Sequence, residues 1–160
     1  MDGFDCDICF YDPFIPNDIG HYKKTELEKI FVECDIVSLH LPVTDETKGM
    51  INEKLLRSMK PTALFVNTAR SAVVDTKALI KLLNDKAIAG AIIDVLDTEP
   101  PTAEDLQIAY CPNTLLTPHI GGSSFEVTVH QADILNERIR QWLKGENLER
   151  IVFNRAVLAK

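Results

Sequence analysis

The 160-residue sequence lacks the features that tie a chain to a membrane or a nucleic acid. No apolar run approaches the roughly 18 residues that a bilayer-spanning helix needs. Lysine and arginine number 17 against 24 aspartates and glutamates, and a net charge of −7 disfavours a broad basic surface for phosphates. Residues 1–5 (MDGFD) carry acid where a signal peptide has a basic, then apolar start. These absences predict a soluble cytoplasmic domain that binds neither membrane nor nucleic acid.

Cysteine is scarce, and its spacing is not that of a metal site. Cys6 and Cys9 form a single Cys-x-x-Cys, whereas Cys34 and Cys111 stand alone. A zinc site normally needs a second pair of ligands at a matching spacing, and the sequence has none. If residues 6–11 form a strand, positions 6 and 9 also point to opposite faces. We therefore predict structural thiols in a reducing cytosol and no metal.

The sequence does contain a regular alternation of strand-like and helix-like segments, and 46% of its residues are hydrophobic. The predicted strands are Cys6–Tyr11, Asp35–Leu39, Ala63–Val66, Gly90–Val95, Thr114–Thr117 and Ile151–Phe153. Capping residues predict helices that begin at Thr25, Asn52, Asp75 and Ser123 or Ser124, the last running to about Lys144. Several strands are apolar throughout, which is typical of a parallel sheet covered on both faces. The pattern predicts a doubly wound α/β fold.

In such sheets ligands bind at the carboxyl ends of the strands, so the residues that follow the strands are candidate site residues. They are Asp12, His40-Leu41-Pro42, Asn67-Thr68-Ala69-Arg70, Asp94 to Glu99 and Pro118-His119. Arg70 follows a buried strand, and its planar guanidinium suits a carboxylate or an α-keto acid, which it can hold with two hydrogen bonds. The alternative is a surface arginine paired with a nearby acid.

His119 lies between a proline and two glycines, and histidine is the side chain that titrates near neutral pH. It is a candidate general acid or base, and the alternative is an ordinary loop histidine. A carboxylate bound to one imidazole nitrogen fixes the tautomer and leaves the other nitrogen to exchange a proton with a substrate. Glu99 is the first candidate for that partner, with Asp94 and Asp97 as alternatives.

Asp12 points to a dinucleotide cofactor. An acid at the end of the second strand of a dinucleotide fold accepts hydrogen bonds from the adenosine ribose and disfavours the extra phosphate of NADP. The alternative is a plain Asp-Pro turn. A Gly-x-Gly-x-x-Gly loop belongs about 20 residues before such an acid. None of the seven glycines has that spacing, so the phosphate-binding loop is missing from these 160 residues.

Five motifs in order give the sequence a family resemblance. They are Tyr11-Asp12-Pro13, Ser38-Leu39-His40-Leu41-Pro42 with Thr47-Lys48-Gly49, Val66 to Arg70 with Val74-Asp75, Gly90 to Val95 with Glu99-Pro100, and Thr117 to Gly122. With them, residues 3–155 resemble the D-isomer-specific 2-hydroxyacid dehydrogenase family. The resemblance leans toward phosphoglycerate-dehydrogenase-like members, while glyoxylate/hydroxypyruvate, lactate and formate relatives remain open. The particular 2-hydroxy acid is not readable from this sequence.

The resemblance implies an NAD-dependent oxidoreductase that interconverts 2-hydroxy acids and 2-keto acids. Arg70 is then the residue that binds the substrate carboxylate and carbonyl, His119 the acid/base, and Glu99 the residue that orients it. Asp12 is expected to hold the adenosine ribose and Asp94 to contact the nicotinamide carboxamide. The residues expected to line the cofactor cleft are Leu41, Pro42, Thr68 and Ala69, together with Arg70 and His119.

The resemblance also shows departures. Ser71 stands where the family usually has glycine after the arginine, which predicts crowding or backbone strain at that turn. The implied architecture is a partial dinucleotide-binding domain (about 3–145) with a C-terminal family tail (about 146–160). It is a Rossmann-like sheet without its first strand and glycine-rich loop, and without the substrate domain.

Three expectations follow from that partial architecture. The chain alone is expected to bind NAD weakly and to turn over little or no substrate. It is expected to form a homodimer. The alternative function is an NAD(H)-sensing interaction module, similar to corepressors of the same superfamily.

Overall fold

A computed structural model describes residues 5–146, which form two units divided between Gly121 and Gly122. The described part of the first unit, residues 5–121, holds six short strands and three α-helices. The strands are β1 (Cys9–Phe10), β2 (Lys23–Lys24), β3 (Ile36–Leu39), β4 (Leu64–Asn67), β5 (Gly90–Ile93) and β6 (Thr114–Leu116). The helices are α1 (Leu27–Glu33), α2 (Glu53–Arg57) and α3 (Thr76–Asn84), with 3-10 helices at Ser71–Val73 and Asp105–Tyr110.

The strands form two parallel sheets. Four of them lie in the order β3-β4-β5-β6, with Val37 opposite Phe65, Phe65 opposite Ala91, and Ala91 opposite Thr114. β1 and β2 pair with each other as a separate two-stranded sheet. Every residue of β4 and β5 is buried or half-buried, as expected of strands covered on both faces. The predicted parallel α/β architecture is confirmed.

Capping chemistry places the helices, with one exception. The side chain of Asn52 accepts a hydrogen bond from Leu55 N, and that of Asp75 accepts one from Ala78 N, so both residues cap helices as predicted. The predicted cap at Thr25 is wrong. Its amide instead donates to Phe10 O at 2.9 Å, which extends the β1–β2 pairing, and α1 begins two residues later without a side-chain cap.

The core of the first unit lies between the four-stranded sheet and its helices. α3 turns Ala78, Leu79, Leu82 and Leu83 inward, as the helical spacing predicts. The largest fully buried side chains include Phe31, Phe65, Ile51, Leu56, Leu79 and Leu82. This packing holds the sheet rigid, so the loops that leave its strands start from fixed positions.

The second unit is described over residues 122–146 and consists mainly of one helix, α4 (Phe125–Leu143). Ser124 caps it by accepting a hydrogen bond from Val127 N, and Gly145 follows its end with φ +76°, a conformation that glycine adopts without strain. In the part of the chain that is described, no helix has the length and apolar character needed to cross a bilayer. The predicted strand Ile151–Phe153 lies outside the described residues.

Candidate functional site

The loop that carries Arg70 is organised by Asn67, the last residue of β4. Asn67 is 2% exposed, and its side-chain oxygen accepts a hydrogen bond from Ala69 N at 3.0 Å. Its side-chain nitrogen donates to Arg70 O at 3.1 Å. The exposed Arg70 guanidinium uses Nη1 to reach Ala69 O at 2.6 Å, and its other N–H groups remain able to hold an anion. One buried amide therefore fixes the backbone of this loop.

Ser71 does not strain the turn that follows. It begins the 3-10 helix Ser71–Val73, and Val74 N donates to its carbonyl at 2.8 Å. Its φ is not positive, so this position does not need the freedom of glycine. The predicted backbone strain at Ser71 is wrong, because the 3-10 turn is open to any L-residue.

The loop that carries His119 is organised by Asp94, which directly follows β5. Asp94 is 4% exposed, and both of its carboxylate oxygens accept hydrogen bonds. Oδ1 accepts from Thr117 Oγ1 and from Ile120 N at 2.9 Å, while Oδ2 accepts from Gly121 N at 2.8 Å. Burial by itself raises the pKa of the Asp94 carboxyl, but these hydrogen bonds outweigh it and hold that pKa below its ordinary value.

His119 is held in an unusual backbone conformation. Its φ is +54°, in the left-handed region that few non-glycine residues enter. This turn brings the next two amides, those of Ile120 and Gly121, to the same carboxylate. Such pairs of amides form a concave anion-binding nest, and here the anion is Asp94. The strained residue is thus stabilised by a buried charge, which is the pattern expected where the surroundings determine a functional geometry.

Glu99 contacts His119 Nδ1. Because an ionised carboxylate only accepts hydrogen bonds, Nδ1 carries the proton and Nε2 is left as the nitrogen able to exchange one. Both side chains are partly open to solvent, at 41% exposed for His119 and 62% for Glu99. Of the three acids considered as partners, Glu99 is the one that the structure brings to the ring.

The ends of β4, β5 and β6 meet at one edge of the sheet. Asp94 N donates to Asn67 O at 3.0 Å, and Thr117 N donates to Ile93 O at 2.9 Å. A Cβ built on Gly121 would lie 3.9 Å from Thr68 Cβ, so the His119 loop runs against the Arg70 loop. The structure therefore places the loop of Thr68, Ala69 and Arg70 beside the loop of His119, and Asp94 and Glu99 both contact the second loop.

The remaining predicted residues lie on other elements. Asp12 follows β1 and is half-buried, and its Oδ1 accepts a hydrogen bond from Phe14 N at 2.8 Å. This turn orients the carboxylate and leaves Oδ2 able to accept a further hydrogen bond. Leu41 packs against the core, and the exposed Pro42 accepts a hydrogen bond from Thr47 Oγ1 at 2.7 Å. Within residues 5–146, no hydrogen bond or ion pair joins these three residues to the Arg70–His119 group.

Comparison with known protein families identifies the family of this chain. A family model described as "D-isomer specific 2-hydroxyacid dehydrogenase, NAD binding domain" matches residues 1–121. The chain belongs to this family. The match ends where the first structural unit ends, so the family's domain is the unit that carries Arg70 and His119. The resemblance seen in the motifs is confirmed, and NAD is the cofactor of the family.

The names of individual proteins that resemble this chain are consistent with the family match. The chain is 44% identical over 146 residues to the Bacillus subtilis protein named "Putative 2-hydroxyacid dehydrogenase YoaD", covering 91% of this chain and 42% of that protein. It is 40% identical over 148 residues to a glyoxylate reductase of Thermococcus litoralis, covering 90% and 44%. A D-isomer specific 2-hydroxyacid dehydrogenase from Lactobacillus delbrueckii ssp. bulgaricus, solved with NAD, superposes with a TM-score of 0.76 at 30% identity, covering 91% and 48%. The chain thus spans less than half the length of these relatives.

The NAD-binding domain fits part of the cofactor. Asp12 presents an oriented, half-buried carboxylate, which suits a ribose diol. The buried carboxylate of Asp94 accepts three hydrogen bonds and retains some acceptor capacity for an amide. The pyrophosphate has no glycine-rich loop within these 160 residues. The described residues therefore offer carboxylate oxygens that could accept hydrogen bonds from a ribose and an amide.

Sequence reasoning named Asn67 and Asp94 as candidate site residues but missed that they position the two loops. Asn67 and Asp94 are the two buried polar side chains among residues 5–146, and each fixes one of the two loops. A signal for them existed, since both are polar residues at the end of an apolar buried strand, where an unpaired side chain is costly. Gly121 gave no such signal. Its importance lies in the 2.9 Å that would separate its Cβ from Asp94 Oδ2.

Proposed function

We propose that this domain supplies the NAD-binding half and the proton-transferring groups of an oxidoreductase that interconverts 2-hydroxy acids and 2-keto acids. The observation that carries the proposal is the contact of Glu99 with His119 Nδ1. His119 itself has a strained backbone conformation, and Asp94 holds the two residues that follow it. A histidine that is fixed through one nitrogen and open at the other suits a general acid or base. The family to which the chain belongs supports this reading.

The proposed roles follow from charge and position. Arg70 holds the substrate carboxylate and the carbonyl oxygen, where negative charge grows during reduction. His119 gives a proton from Nε2 to that oxygen in the reductive direction and takes it back in the oxidative one. Glu99 keeps the proton of the ring on Nδ1 and stabilises the imidazolium in its turn. Bound NADH supplies the hydride in this reaction.

The cofactor contacts are proposed from the same positions. Asp12 accepts hydrogen bonds from the adenosine ribose through Oδ2, and its charge disfavours a ribose phosphate. Asp94 uses its remaining acceptor capacity for the nicotinamide carboxamide. Leu41, Pro42, Thr68 and Ala69 line the cleft between these two ends.

A chimeric enzyme tests the proposal. The 146 aligned residues of the Bacillus subtilis relative are replaced by this chain, and NADH oxidation is followed with glyoxylate and other short 2-keto acids. We expect turnover, and we expect His119→Asn to lower kcat by about 100-fold or more, because general acid–base catalysis typically contributes that much. His130→Asn, which changes an exposed histidine of α4, is the matched control.

The outcomes separate the proposal from its alternative. Glu99→Gln is expected to lower kcat with little change in KM, since it alters the ring rather than substrate binding. A His119→Asn chimera that keeps nearly full turnover contradicts the acid/base assignment. A chimera that binds NADH and turns over no keto acid favours the NAD(H)-sensing interaction module instead.

The remaining expectations are also proposals. A homodimer is supported by α4, on which no side chain is buried and on which Ile134, Leu135 and Trp142 are exposed. Light scattering that finds only monomer at micromolar concentration contradicts it. A cytoplasmic location agrees with four free thiols. A net charge of −7 disfavours nucleic-acid partners.

A further inference from the structure

Two cysteines that are far apart in sequence lie side by side in the first unit. Cys9 Sγ and Cys34 Sγ are 3.3 Å apart, and both residues are half-buried. Cys9 begins β1, and Cys34 forms the C-cap of α1 just before β3. A disulfide bond of about 2.05 Å needs these sulfurs to approach by only about 1.3 Å. The Cys-x-x-Cys spacing of Cys6 and Cys9 hides this pairing, because the partner is 25 residues away.

We propose that Cys9 and Cys34 form an oxidisable dithiol site, which closes reversibly to a disulfide when it reacts with a peroxide. The other cysteines are placed differently. Cys6 is exposed, and Cys111 is buried with its sulfur 3.7 Å from Gln107 O. The pair that reacts is therefore set by geometry rather than by sequence spacing.

The reaction balances with a peroxide as the oxidant. The Cys9 thiolate attacks one oxygen of hydrogen peroxide, the O–O bond breaks, and hydroxide leaves while a sulfenic acid remains on Cys9. The hydroxide takes up the proton that Cys9 lost on ionisation, which gives the first water. The Cys34 sulfur then attacks the Cys9 sulfur, the S–O bond breaks, and the proton of Cys34 leaves with the hydroxide as a second water. Two electrons pass from the two sulfurs to the peroxide. Burial, followed by the hydrogen bond with Cys9, raises the pKa of Cys34 to about 11, so Cys34 suits the second role.

The disulfide has a structural consequence. Within residues 5–146, β1 pairs only with β2, while β3 pairs with β4 in the larger sheet. A bond between Cys9 and Cys34 ties the smaller sheet to the entrance of β3. It also constrains residues 9–34, the segment that contains Asp12. Reduction releases the tie, so stability of this segment becomes sensitive to redox state.

Peptide mapping of the oxidised 160-residue chain tests the site. The chain is treated with one equivalent of hydrogen peroxide, and a tryptic digest is compared with and without dithiothreitol. We expect the thiol count to fall from four to two and residues 1–23 to be linked to residues 30–48. Because residues 1–23 contain both Cys6 and Cys9, the mapping is repeated on Cys6→Ser. We expect the link to persist there and to vanish in Cys9→Ser and Cys34→Ser.

A stability measurement gives a second readout. Oxidation is expected to raise Tm by roughly 5–10 °C in the wild-type chain and in Cys6→Ser, and not in Cys34→Ser. Loss of the link in Cys6→Ser overturns the proposal, because Cys6 is then the partner. A link to Cys111, a chain dimer joined through Cys6, or four thiols surviving in the folded wild-type chain also overturns it. The mapping on wild type and Cys6→Ser remains decisive if the other two variants fail to fold.

Discussion

Asp94→Asn tests whether one buried charge holds the His119 loop. The amide oxygen can replace Oδ1, which accepts from Thr117 and Ile120, and the amide nitrogen then faces Gly121 N at 2.8 Å. Two donors oppose each other there, at a cost of about 1 kcal/mol because Gly121 is exposed. The hydrogen bonds from Thr117 Oγ1 and Ile120 N then go to a neutral oxygen instead of a charged one, which weakens each by about 1 kcal/mol. We expect the free energy of unfolding to fall by about 3 kcal/mol.

Thermal unfolding, followed by far-UV circular dichroism, measures this loss. About 3 kcal/mol corresponds to a Tm decrease of roughly 6–12 °C in a chain of this size. Hydrogen exchange locates it, since the amides of Ile120 and Gly121 are expected to exchange about 100-fold faster. Asp97→Asn, a change of an exposed acid, is the control and is expected to stay within about 0.5 kcal/mol of wild type.

The pH dependence gives the sign of the effect. The pKa of Asp94 is below its ordinary value in the folded chain, so its charge stabilises the fold above about pH 4. That stabilisation is lost as pH falls from about 4 through the folded pKa. The Tm difference between wild type and Asp94→Asn is therefore expected to shrink in acid. A difference that does not change with pH, or an Asp94→Asn chain with wild-type Tm and exchange, refutes the reasoning.

Three further changes are measured by the same thermal unfolding. Gly121→Ala is expected to lower the free energy of unfolding by about 1–3 kcal/mol, because the new Cβ would lie 2.9 Å from Asp94 Oδ2. Gly122→Ala is the control and is expected to stay near wild type, since nothing lies within 4 Å of its Cβ. Equal Tm values for the two variants contradict this prediction. Asn67→Ala removes the side-chain oxygen that accepts a hydrogen bond from Ala69 N, so this buried amide loses its partner. The free energy of unfolding is expected to fall by about 1–3 kcal/mol. Asp75→Ala removes the cap of α3 at about 1 kcal/mol, and no loss of Tm contradicts the capping role.

Much of the fold was predictable because local signals and burial agree. Asn52, Asp75 and Ser124 cap helices where the sequence predicts caps, and β4 and β5 are short apolar runs buried in a sheet. The helix cap predicted at Thr25 was wrong, because the capping-box spacing is a local pattern and carries no information about pairing with the distant strand β1. The amide of Thr25 is bound by Phe10 O, a contact between segments that only the tertiary structure brings together.

The candidate site was predictable by residue type and position, but its geometry was not. The rule that ligands bind at the carboxyl ends of parallel strands singles out Arg70, Asp94 and His119. Which acid reaches His119 depends on the path of the loop from Asp94 to Glu99, which no local pattern encodes. The Cys9–Cys34 contact was missed for the same reason, since it joins a strand to a helix end across 25 residues.

The Arg70 loop and the His119 loop are each held by one buried polar side chain at the end of a strand. Asn67 and Asp94 sit at the ends of adjacent strands, and Asp94 N donates to Asn67 O, so the two anchors are fixed to each other. Asn67 makes its side-chain hydrogen bonds with the backbone of Ala69 and Arg70, and Asp94 accepts from the backbone of Ile120 and Gly121 and from the Thr117 hydroxyl. Neither anchor binds the side chain of Arg70 or His119, and both of those residues are exposed. Buried polar groups are costly when unpaired, so a loop that shifts loses the partners of its anchor. The sheet core therefore sets the separation of the exposed cation and the exposed imidazole before any ligand arrives.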